Sequence, residues 1–144
     1  MHYNENITYE ELIDKLHINN NSDREILDKA YSYALKCYEG KVRLTGDDLI
    51  THSLNTAYIL ANLNVDITTI VAALIHDVIN LCNKTPDEIE ELFGSDVRII
   101  VESLSKINKL ELTSDEEEKA IYLRKVMVGL SEDVRVLYIK LACR

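Results

Sequence analysis

The sequence predicts an all-α domain, a bundle of about eight helices around one central buried helix. Three observations carry this. Helix-start signatures recur along the chain, and apolar residues between them return at three- and four-residue spacing. One stretch, residues 67–80, is apolar almost all round, which is the pattern of a helix covered on every side. Neither a period-two strand nor a hairpin turn is found, so sheet-based architectures are excluded.

Thr8-Tyr9-Glu10-Glu11 is a capping box that opens the first helix. That helix is expected to fade near His17, before Asn19-Asn20-Asn21. Ser22-Asp23-Arg24-Glu25 is a second capping box, followed by Ile26, Leu27, Ala30, Tyr33, Ala34 and Cys37 on one helical face. Gly40 suits the stop. Residues 41–48 read as a loop turned by Gly46. The third helix starts at Asp48 or Leu49, carries His52 in its first turns, and ends around Asn62 to Asn64. Asp66 caps the fourth, expected to run unbroken from Ile67 to about Asn80, with a connection over residues 81–84.

Thr85-Pro86-Asp87-Glu88 joins an N-cap, a first-turn proline and a capping-box glutamate. This short fifth helix stops at Gly94, and Ser95 is expected to cap a sixth with Val97, Ile100, Val101 and Leu104 facing the core. Residues 111–118 are acidic and read as a solvated loop and helix start. Ser114 is expected to cap a seventh helix carrying Ala120, Ile121, Leu123, Val126, Met127 and Leu130. An eighth begins near Glu132-Asp133 and includes Leu137, Tyr138 and Leu141.

A chain of 144 residues, 47% of them apolar, has the length of one globular domain, taken here as residues 1–144. The formal net charge of −9, without a basic stripe, argues against a general nucleic-acid binder. No apolar run approaches a membrane span, and residues 1–6 do not resemble a signal peptide. Three widely spaced cysteines, Cys37, Cys82 and Cys143, argue against a disulfide framework or zinc knuckle and favour a reducing cytoplasm.

The chemistry centres on His76-Asp77, at the end of the apolar fourth helix. An imidazole and a carboxylate in apolar surroundings cost free energy unless paired or metal-bound. His52, Arg43 and the C-terminal residues 140–144 are the candidate partners. A cation at the helix rim could take a nitrogen and an oxygen from the pair and a second imidazole nitrogen from His52. Imidazole suits transition metals and carboxylate suits Mn²⁺ or Mg²⁺, so the set makes a plausible hydrolytic site. The bland alternatives are an incidental dipeptide, a core histidine bonded to a carbonyl, and an Arg43 that only lines the surface.

Several segments in order carry a specific likeness: Ala30-Tyr31-Ser32-Tyr33-Ala34, Glu39-Gly40-Lys41-Val42-Arg43-Leu44-Thr45-Gly46, Ile50-Thr51-His52-Ser53-Leu54, Ala72 through Ile79, Glu91-Leu92-Phe93-Gly94, and Asp133 through Ala142. From about Ile26 onward the chain resembles the N-terminal hydrolase domain of the RelA/SpoT homologues, a branch of the HD-domain metal-dependent phosphohydrolases. The resemblance implies an HD-type helical bundle and Mn²⁺-dependent removal of the 3′-pyrophosphate from the guanine nucleotide (p)ppGpp, giving GDP or GTP. It implies His52, His76, Asp77 and Cys143 at the metal positions, Arg43 packed on the guanine base, and Thr45 helping to seat the nucleotide. An attached synthetase domain in a longer product is also expected.

The departures matter as much. Asn80 and Leu81 stand where the family has the Glu-Asp that activates water. Neither can take a proton. Cys143 stands where the last metal carboxylate is expected, and a thiolate prefers softer ions than Mn²⁺. The chain also ends inside the family's C-terminal metal motif, so part of the family domain is expected to be missing. Hydrolysis is therefore expected to be weak or absent; the alternative is a catalytically dead domain that binds nucleotide or regulates a (p)ppGpp synthetase.

Overall fold

The computed structural model describes residues 7–42, 46, 48–113, 120–121 and 134–143, with backbone alone at 109–113 and 134. Among these residues the chain forms helices α1 (Tyr9–Leu16), α2 (Asn21–Tyr38), α3 (Leu49–Ala61), α4 (Ile67–Ile75), α5 (Val78–Cys82), α6 (Pro86–Phe93), α7 (Ser95–Thr113) and α8 (Val134–Ala142). The protein is all-α; a lone antiparallel bridge, Val42 to Asp48, is the only extended pairing among the described residues.

The helix starts follow their caps. Thr8 accepts the Glu11 N–H, Asp66 the Thr69 N–H and Thr85 the Glu88 N–H. Two starts differ from expectation. α2 is capped by Asn20, whose side chain accepts the Asp23 N–H at 2.8 Å, and Ser22 lies inside the first turn. An asparagine already placed in extended backbone offers its amide oxygen two residues before the expected serine hydroxyl. α7 includes Ser95 and runs on through Thr113, so the acidic stretch begins within a helix. Gly94, at φ 98°, ends α6 in a backbone region that side-chain-bearing residues avoid.

The larger departure is in the central helix. It is two helices, α4 and α5, separated by His76 and Asp77. α4 is nonetheless the centre: Ile70 through Ile75 have no exposed surface, and α2, α3, α7 and α8 all pack on it. α3 is almost as enclosed, with His52, Ser53, Asn55 and Thr56 buried beside Leu54, Ala57 and Leu60. α8 docks through Val136 and Ile139, both fully buried, against α3 and α7. The expected seventh helix lies outside the described residues except Ala120 and Ile121, which are helical and exposed. No described helix is long and apolar enough to cross a membrane.

Candidate metal centre

The helix break makes the site. In a continuing helix the Asp77 N–H would bond to the Ala73 carbonyl. Here both groups are taken by side chains. The Asp77 N–H donates to the Tyr38 hydroxyl at 3.1 Å, and the Ala73 carbonyl sits 2.6 Å from His76 Nδ1. A carbonyl oxygen only accepts, so Nδ1 carries the proton and Nε2 faces outward with its lone pair in the neutral ring. Adjacent residues on a regular helix point apart. At this break the Asp77 Oδ2 lies 3.2 Å from His76 Nε2.

Two other elements complete the cluster. α3 presents His52, 7% exposed, with its ring 5.6 Å from that of the 2%-exposed His76. Cys143 follows the last turn of α8, its N–H bonded to the Ile139 carbonyl at 3.0 Å, and its Sγ lies 3.3 Å from His76 Nε2. Ligand atoms of His52, His76 and Cys143 all lie within 4.8 Å of one another. Asp77 is outside that mutual spacing and reaches the group through His76.

Electrostatics tie the cluster together. Burial by itself pushes the Cys143 thiol up, but the His76 charge and hydrogen bonding from His52 and His76 outweigh it and bring the thiol below its ordinary range. Burial likewise disfavours the His76 imidazolium, and the Asp77 carboxylate with Cys143 outweighs that and raises its pKa. Tyr38 is held protonated, its pKa raised chiefly by burial and then by the Asp77 charge.

The donor set fits a divalent cation. Atoms bound about 2.0–2.3 Å from one ion at a tetrahedral angle lie roughly 3.3–3.8 Å apart; His76 Nε2 is 3.3 Å from Cys143 Sγ, and the set with His52 stays within 4.8 Å. The outward nitrogen of a buried imidazole meets a thiol and a carboxylate, both able to ligate. The Nδ1–H bond to Ala73 is the kind of outer contact that orients a ligating histidine.

The remaining expected residues fall elsewhere. Arg43 and Thr45 lie outside the described residues. Asn80 does not turn to the cluster as a free group: its Nδ2 donates to the Ser105 carbonyl at 3.1 Å and its Oδ1 accepts from the Ser105 hydroxyl at 2.6 Å. Leu81 is 45% exposed. Of the described C-terminal candidates, Lys140 donates to Asn108 at 2.9 Å and Cys143 meets the pair; Arg144 lies outside the described residues. Tyr38 and Ser105 were not foreseen. Each continues an apolar face with a polar group, Tyr38 four residues after Ala34 and Ser105 four after Val101. That was the available signal.

A family model described as HD domain matches residues 30–144. The chain is 43% identical over 119 residues to a GTP pyrophosphokinase rsh of Brucella melitensis, covering 83% of this chain and 16% of that protein. It is 41% identical over 118 residues to the bifunctional (p)ppGpp synthase/hydrolase SpoT of Escherichia coli, covering 82% and 17%. A guanosine-3′,5′-bis(diphosphate) 3′-pyrophosphohydrolase from another strain of that species matches to the same extent, 41% over 118 residues, 82% and 17%. The match thus spans about a sixth of the length of these relatives.

Proposed function

The chain belongs to the HD-domain family in its RelA/SpoT branch, and from that premise we propose a (p)ppGpp 3′-pyrophosphohydrolase domain whose hydrolysis is slow. The observation that carries the reading is the convergence of His52, His76 and Cys143, with Asp77 against His76. On this reading those residues hold the metal. A divalent cation there supplies Lewis acidity toward a phosphoryl oxygen. Arg43 then stacks on guanine, for which its planar, permanently charged group is suited, and Thr45 helps seat the nucleotide.

The protein's own groups orient this site. Tyr38 and Ala73 hold the break between α4 and α5, so that Nε2 of His76 and the Asp77 carboxylate face one region. The buried walls from α3 and α4 restrict water there. What is weak is proton transfer. Asn80 has no basic group and is engaged by Ser105, and Leu81 has none at all. Loss of a general base costs about two to four orders of magnitude in rate.

That same engagement of Asn80 favours a second reading, a nucleotide-binding domain that regulates an attached synthetase. One experiment separates the two. The chain is incubated with ppGpp and Mn²⁺, Zn²⁺ or Co²⁺, and released pyrophosphate is measured. Slow release that vanishes in His76→Ala supports the hydrolase. No release, with ppGpp binding by calorimetry, supports the regulator. Absence of both rejects both readings.

A further inference from the structure

We infer that Cys143 is a thiolate ligand and that the centre selects a thiophilic divalent cation, zinc, cobalt or iron, over manganese and magnesium. This deepens the metal-centre reading above and rests on it. Two imidazole nitrogens and a sulfur form the mutually close set. Nitrogen and sulfur donors favour zinc and its neighbours, whereas manganese and magnesium favour carboxylate and water oxygens. The carboxylate present, Asp77, approaches through His76 alone, so sulfur is the anionic donor inside the set.

The sulfur is placed by packing. The buried Val136 and Ile139 fix α8, and the Cys143 N–H continues the helical bonding to Ile139. A residue at this point of the helix therefore presents its β-substituent to Nε2 of His76. Of the other cysteines, Cys82 donates its thiol to the Cys37 carbonyl at 3.0 Å, and neither Cys37 nor Cys82 belongs to the cluster. On binding, the thiol would give up its proton to become the ligand.

The test is optical titration of the reduced chain with Co²⁺ under anaerobic conditions, compared with Cys143→Ser, Cys143→Asp and His76→Ala. Circular dichroism first confirms that each variant is as helical as the parent. The expected result is a near-ultraviolet thiolate-to-cobalt charge-transfer band in the parent. It is lost in both Cys143 variants, while Cys143→Asp still binds the ion. Competition should show the Zn²⁺-over-Mn²⁺ preference falling at least about tenfold in Cys143→Asp. Co²⁺ binding without the band, but abolished by His76→Ala, overturns the cysteine ligand and leaves the metal centre standing. A band that persists in Cys143→Ser also overturns it, because another thiol is then the donor. Failure to bind Co²⁺ and Zn²⁺ at all overturns the inference and the metal-centre reading together.

Discussion

Tyr38 does its work through one hydroxyl oxygen, which accepts the Asp77 N–H at the break. Tyr38→Phe leaves that part-buried N–H without its partner, which costs up to about 1–3 kcal/mol. Urea unfolding should report that loss. Because the break orients His76 and Asp77, metal affinity should fall about 10–100-fold, the usual range for an outer contact of a metal ligand; calorimetric titration reads it. Asn80 makes the opposite kind of case. Its amide nitrogen and its amide oxygen both bond to Ser105, joining α5 to α7. The double change Asn80→Glu, Leu81→Asp should raise pyrophosphate release about 10²–10⁴-fold if proton transfer is the missing step. It should also lower stability by removing the Ser105 pair. Unchanged release in a folded double variant would reject the base-loss account.

Caps and their charges act on whole helices. Asn20→Ala should destabilise by about 0.5–2 kcal/mol, whereas Ser22→Ala, inside the turn, should cost less than about 0.5. Equal losses in urea unfolding would contradict the observed start of α2. Asp66 caps the central α4 and meets Arg135 of α8 at 3.4 Å. Burial raises its pKa, but the Thr69 hydroxyl and amide, with the Arg135 guanidinium, hold it below the usual carboxylate range. A folded pKa below the unfolded one means that the charged form stabilises the fold above the unfolded value, about 3.9. That contribution is lost as pH falls through the folded value. Asp66→Asn keeps a capping oxygen and removes the charge. Its stability deficit against the parent should therefore be largest near neutrality and shrink steadily below about pH 4.

At the scale of the molecule, three helices and one helix break must be assembled before the candidate metal site exists. An ion that binds only the folded state then adds stability, about 2.7 kcal/mol at a free concentration a hundred times its dissociation constant. Removing it with a chelator should lower the melting temperature by several degrees, and by nothing in His76→Ala; calorimetric scans read both. Leu74→Ala, at the sealed centre of α4, should cost about 2–5 kcal/mol and weaken the site with the fold. The all-α class, most helix starts and the identity of the central segment were legible in the chain, because caps and apolar spacing act over a few residues. The order of the family-like segments also pointed to His52, His76, Asp77 and Cys143 as candidates, and the fold brings their side chains together. The break after Ile75 was not legible. Its local sequence is good helix, and it ends because Tyr38, thirty-nine residues earlier, captures one amide. The engagement of Asn80 by Ser105 was hidden for the same reason. Short-range chemistry determines which helices form; only packing brings distant side chains close enough to compete for a helix's own hydrogen bonds and to gather two imidazoles and a thiol at one point.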